Sequence, residues 1–274
     1  MADDKSTGRL SLINASGFLL QLAVEDHIRK GSGRLHNWEL LAREHPWREP
    51  QSGQEGFIDL LVHMGAYRLV VECKRPQDSE WVFLAAHTAE PNVIRARGRW
   101  VIGSPGEKPG TGWFDFGVSP SSYEAAFCVV RGTGEGDKPM LERVADVLLT
   151  SLNCLAAEEL ALSRPGWDRL RIYFPVIITT ARLSVCKVDP EAVTLEDGKL
   201  PKVPFEEVPM VRFHKTLSTD LVDDFSPRDL KSANENRERT ILIINAASLS
   251  KILAGLNPQH AVPFEGWPWR QESP

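Results

Sequence analysis

The chain has 274 residues, of which 42% are hydrophobic and 25% charged, and its formal net charge is −5. That length can bury a full core, as one large domain or two small ones, and the composition is that of an ordinary globular protein. No apolar run is long enough to span a bilayer, which excludes a helical membrane protein. The acidic balance does not advertise nucleic-acid binding, although a local basic groove can act within an acidic whole. The polar start MADDKSTGRL lacks the apolar region of a signal peptide, and Cys73, Cys128, Cys154 and Cys186 show no C-x-x-C spacing. The expectation is a cytoplasmic protein with reduced, mostly buried thiols.

Residues 1–13 read as a flexible lead-in. A helix is expected from Asn14 or Ser16, either of which can cap it, through GFLLQLAVEDHIRK to the breaker cluster Gly31-Ser32-Gly33. Phe18, Leu22 and Glu25 fall on one stripe of it, at spacings of four and three. An acid on an apolar stripe can point into a site, or it can pair with Arg29 one turn on. The stretch from Trp38 to Glu49 reads as extended, with Pro46 arguing for a sheet edge; its imperfect alternation also allows a short helix.

Gly56 to Arg75 reads as a β-hairpin. Gly65-Ala66 has the form of a two-residue type II′ turn, because glycine stands at its first central position. That turn sets Met64 opposite Tyr67, Leu61 opposite Val70 and Asp59 opposite Glu72. One face then carries Ile58, Leu60, Val62, Leu69, Val71 and Cys73; the other carries Phe57, Asp59, Leu61, Val70, Glu72 and Lys74. Two carboxylates facing each other among apolar residues repel and are costly to bury. A divalent cation relieves that conflict, and so does simple solvation of an Asp59–Glu72–Lys74 ion cluster.

Asp59, twelve intervening residues and Glu72-Cys73-Lys74 resemble the core motif of the PD-(D/E)XK nuclease superfamily, which has the restriction-endonuclease-like fold. The residue before Asp59 is Ile58, where that motif often has proline. The resemblance implies an α/β fold with a three-layer core, a central mixed sheet flanked by helices, over residues 1–190. Residues 191–274 would add a C-terminal α+β extension packed on the same domain. It implies a Mg²⁺- or Mn²⁺-dependent endonuclease acting on nucleic acid, DNA in preference to RNA, in repair, restriction or phage defence. Asp59 and Glu72 would hold the metal, with the Cys73 carbonyl as a third ligand. Lys74 would orient or activate the attacking water, and Glu25 of the first helix would point into the site.

Pro76 ends the hairpin, and Ser79 to Thr88 reads as a short helix. Arg95, Arg97 and Arg99, with Trp100 alongside and Arg75 after the motif, are candidate contacts to a nucleic-acid backbone; a solvated loop or edge strand accounts for them equally. Residues 103–120 form a Gly/Pro-rich loop without a phosphate-binding fingerprint, placed to cover substrate. Ala125 to Arg131 reads as a strand and Pro139 to Leu162 as a long core helix. Leu170 to Thr180 and Leu183 to Val188 read as strands, the first of them central and covered on both faces. A turn at Asp197-Gly198 precedes a Pro-broken edge-like stretch from Pro201 to Phe213. Residues 220–238 read as an exposed loop or short helix, Ile241 to Asn245 as a strand and Ser248 to Leu256 as a helix. Trp267 and Trp269 mark a packing or contact site in the tail.

Two other functions fit the same residues. One is a catalytically inactive nuclease-fold module that binds or assembles with itself or a protein partner, which the acidic charge and C-terminal extension favour. The other is a nucleotide- or small-molecule-binding α/β protein with a structural ion cluster, which the missing phosphate loop disfavours.

Overall fold

The computed structural model describes residues 2–76, 80–103, 110–130, 140–162, 170–200, 202–217 and 228–259. The helices are α1 (Ala2–Ala15), α2 (Phe18–Gly31), α3 (Met140–Leu162), α4 (Leu230–Arg237) and α5 (Leu249–Gly255). The strands from the first half are β1 (Glu39–Arg48), β2 (Glu55–Met64), β3 (Tyr67–Lys74), β4 (Glu80–Ala86), β5 (Val93–Ile102), β6 (Gly110–Ala125) and β7 (Phe127–Val130). The second half adds β8 (Arg171–Thr179), β9 (Arg182–Val188), β10 (Phe205–Glu207), β11 (Met210–Thr216), β12 (Glu238–Asn245) and β13 (Asn257–Gln259).

Among the described residues the strands form two sheets. The larger is mixed, in the order β1-β2-β3-β8-β12-β11-β6-β13, with β5 wedged between β6 and β8. The smaller runs β10-β9-β4-β7. β1, β2 and β3 form an antiparallel meander, and β8 lies parallel to β3 over its whole length. β8 is the apolar strand IYFPVII, buried from Ile172 to Thr179, as a strand with neighbours on both edges and cover on both faces should be. β11 and β12 come from beyond residue 190, yet β12 pairs directly with β8, so the C-terminal third completes the same central sheet.

Apolar residues of the large sheet divide between two clusters. On one face Leu60, Val62, Leu69, Val71 and Cys73 meet Leu20, Val24 and Ile28 of α2 and Leu249, Ile252 and Leu253 of α5. On the other, Leu61, Val70, Tyr173 and Ile177 meet the buried stripe of α3 and, beyond it, Trp81, Phe83, Leu183 and Val185 of the small sheet. Helices thus flank a central mixed sheet, and a second sheet shares one face with α3.

Several expectations need correction. The stretch before α2 is helical, as α1, with Leu10, Leu12 and Ile13 exposed. The buried stripe of α2 is Leu20, Gln21, Val24, Glu25 and Ile28; Phe18 and Leu22 face solvent. Glu80–Ala86 is a strand, not a helix, because Trp81, Phe83 and Ala85 bury one face with a period of two. Residues 110–120 belong to the long strand β6 and are not loop; its glycines lie under large neighbours, with Gly112 against the Trp100 indole. The short β10 does lie at a sheet edge, whereas β11 is buried between β12 and β6. Residues 104–109, Pro139 and the tail tryptophans Trp267 and Trp269 lie outside the described residues.

Candidate active site

Gly65 has φ +58°, and Ala66 is not among the residues with positive φ, which suits the expected turn. The register follows: Met64 faces Tyr67 and Leu61 faces Val70. The ladder runs to Leu60 opposite Val71 and stops there, one step before Asp59 and Glu72. In place of a backbone bond, Asp59 Oδ2 accepts a 2.7 Å hydrogen bond from the Cys73 N–H. The two strands therefore part at the acids, and a carboxylate joins them across the gap.

Burial and the neighbouring Glu72 carboxylate push the Asp59 carboxyl up to about 6, against the opposing pull of the Cys73 N–H and the Lys74 ammonium. Lys74 Nζ lies 2.5 Å from Glu72 Oε1, and the Glu72 side chain is only 18% exposed. Two acids and one amine thus share the open end of the hairpin. The Cys73 thiol is buried on the α2 face, and burial, then Asp59 and Glu72, raise its pKa.

The strands around this point carry a feature absent from the sequence reading. Arg43 of β1 reaches Glu25 of α2, while His45, two residues on, reaches Glu158 of α3. Side chains two apart on a strand should share a face. They do not here because Glu44, between them, has φ +48°, the only positive value at a described residue other than glycine. β2 switches in step: Leu60 joins the α2 cluster and Ile58 the α3 cluster, although alternation groups them together. Asp59 is the residue at that switch, and Glu44 adds its own charge to the field that raises the Asp59 pKa. Backbone held at positive φ in a non-glycine residue costs of order 1–3 kcal/mol and clusters at functional sites.

Glu25 is buried, but its carboxylate is held by Arg29 at 3.0 Å and Arg43 at 3.6 Å. The residue of α2 that touches the hairpin end is Gln21, one turn earlier, whose amide donates to the Asp59 carbonyl at 3.2 Å. Among the described residues no three His, Cys, Asp or Glu side chains converge on a common metal position, so neither Glu25 nor Glu44 joins Asp59 and Glu72 as a third ligand.

The arginines fall into two groups. Arg75 is exposed, directly after the hairpin. Arg95, Arg97 and Arg99 alternate along β5, an internal strand. Arg97 forms a two-pronged contact with Asp115 at 2.9 and 3.1 Å, Arg95 pairs with Glu124 at 2.8 Å, and Arg99 lies 6.0 Å from the Trp113 ring centre. Asp115 and Glu124 thus offset much of the charge that the sequence places there.

No protein-family model, no curated protein and no solved structure matches the chain. Among the described residues no helix is long and apolar enough to cross a membrane.

Proposed function

We propose that this chain is a metal-dependent phosphodiesterase of the PD-(D/E)XK type, an endonuclease that acts on DNA in preference to RNA. The observation that carries the reading is the shared hairpin end: Asp59 partly buried beside Glu72, its pKa raised by burial and then by that neighbour, with Lys74 against Glu72. The order of elements supports it in part: α2 precedes the three-stranded meander β1–β3, and, after the interposed β4–β7, α3 precedes β8, which lies parallel to β3.

The donor set suits Mg²⁺ or Mn²⁺. Such ions take one or two protein carboxylates and complete their shell with water and substrate oxygens. Burial raises the Asp59 pKa first and the Glu72 charge second, and a cation at Asp59 and Glu72 would relieve both costs. When bound, the ion supplies a Lewis acid for the phosphoryl group and lowers the pKa of a coordinated water. The chain's own residues do the rest. Asp59, fixed by the Cys73 N–H, and Glu72 hold position without needing to reorganise. Lys74 keeps a positive charge where the pentavalent phosphate gathers negative charge, or exchanges a proton with the attacking water.

One finding favours the inactive-module alternative: Glu25, which the resemblance would turn into the site, is tied up by two arginines. Incubating the protein with single- and double-stranded DNA and RNA, in Mg²⁺, Mn²⁺ or chelator, separates the two. Metal-dependent cleavage that Lys74→Ala abolishes supports the enzyme. Absence of cleavage on every substrate, with the fold intact, supports the module.

A further inference from the structure

Asp59 is the one residue of β2 that stands in register with neither neighbouring strand. Counted from the Met64–Tyr67 pair at the turn, hydrogen-bonded pairs alternate along β2 and β3. The one after Leu60–Val71 would join the Cys73 N–H to the Ile58 carbonyl, but the Asp59 carboxylate takes that N–H instead. On the other edge of β2 the register passes from Arg43–Leu60 to His45–Ile58 without the pair between them, Glu44 and Asp59.

By the same alternation the Asp59 carbonyl is turned toward β1, where Glu44, at φ +48°, stands out of register. The amide of Gln21 on α2 donates to that carbonyl at 3.2 Å. Gln21 is 8% exposed and lies on the buried stripe of α2 with Leu20, Val24 and Ile28. An amide on such a stripe is costly unless it is bonded, and this one bonds the single residue of β2 that the ladders leave out. Side chains thus replace backbone on both sides of Asp59: its own carboxylate toward β3, and Gln21 toward β1.

Resting on the phosphodiesterase reading, we propose that Gln21 is a positioning residue of the metal site: its amide holds the Asp59 peptide out of the ladders, so that the carboxylate stays beside Glu72 at the open end of the hairpin. Without that amide β2 closes onto its neighbours. The Cys73 N–H then passes to the Ile58 carbonyl, and the Asp59 carboxylate loses its anchor. Groups that orient a metal's ligands from one step away change its affinity by roughly 10–100-fold when they are removed. Gln21 acts through Asp59 alone.

The test is Mn²⁺ affinity, read from the electron paramagnetic resonance of free Mn²⁺, for wild type, Gln21→Met, Gln21→Leu and Val24→Ala, each also melted in chelator. The two Gln21 variants remove the donor with side chains that suit a buried helix stripe, so that a folded variant remains to be measured. Val24→Ala thins the packing of the same helix and keeps the amide. The expected result is a loss of roughly ten-fold or more in Mn²⁺ affinity for both Gln21 variants, with melting temperatures in chelator near that of wild type. Val24→Ala should melt lower and keep the wild-type affinity. Wild-type affinity in a folded Gln21 variant overturns the proposal and leaves the metal site standing. An equal loss of affinity in Val24→Ala also overturns it, because any loosening of α2 would then have the same effect. A wild type that binds no Mn²⁺ removes the reading beneath the proposal, and the proposal with it.

Discussion

Asp59 and Cys73 are joined across β2 and β3 by a side chain where the sheet would ordinarily use backbone: Asp59 Oδ2 accepts from the Cys73 N–H at 2.7 Å, just past the last ladder pair. The bond fixes the carboxylate beside Glu72 and spares the strand end an unsatisfied donor. It also opposes the burial and the Glu72 charge that raise the Asp59 pKa.

Asp59 titrates near pH 6 in the folded protein, against an ordinary value of 3.8, because burial and Glu72 disfavour its charge. A carboxyl raised on folding stabilises the fold relative to an unperturbed one only while both forms are protonated. Its contribution is complete below about pH 4 and is lost as pH rises through 6. In chelator, Asp59→Asn should therefore be more stable than wild type at pH 7.5, by about 1–2 kcal/mol after allowance for the partial exposure of the carboxyl. The advantage should vanish near pH 4. Urea melts at the two pH values check this, and a variant less stable than wild type at pH 7.5 would show that the Cys73 hydrogen bond outweighs the burial cost.

Glu44 holds φ +48° in the middle of a strand. Glycine adopts that conformation without a Cβ clash, and its introduction also removes a like charge near Asp59. Glu44→Gly should raise stability by about 1 kcal/mol. If the variant melts lower than wild type, Glu44 makes a favourable contact that outweighs its strain.

Glu25 should behave as a structural residue. Glu25→Gln weakens two charge-assisted contacts, to Arg29 and to Arg43, both of which are largely exposed. The expected loss is about 1 kcal/mol, with an unchanged Mn²⁺ response. A lost Mn²⁺ response would place Glu25 in the metal site.

Gly98 sits on β5 where a Cβ would come within 2.8 Å of the Phe174 ring and 3.2 Å of Phe116. Gly98→Ala should cost about 1–3 kcal/mol through overpacking, read as a lower midpoint in denaturant. A neutral effect would mean that Phe174 moves aside freely.

The hairpin, the central strand and the long helix were legible because each carries a strong local signal: a glycine turn, a run of β-branched residues, an apolar period of 3.6. Glu80–Ala86 was misread because its alternation is written partly in alanine, which suits either structure. β6 was misread because Gly and Pro mark loops in isolation, while here Gly112 admits the Trp100 ring. The face switch at Glu44 left no trace, since positive φ at a glutamate has no signature in composition or spacing. The pairing of Arg95 and Arg97 with Glu124 and Asp115 depends on strand neighbours that only the sheet order reveals.

The most direct measurement is the melting temperature of the chelated protein, with and without millimolar Mn²⁺, for wild type, Asp59→Asn and Glu72→Gln. A shared carboxylate site predicts that Mn²⁺ raises the wild-type melting temperature by several degrees, through binding to the folded state alone, and that either substitution removes the shift. A wild type indifferent to Mn²⁺, or a shift that survives both substitutions, would contradict it.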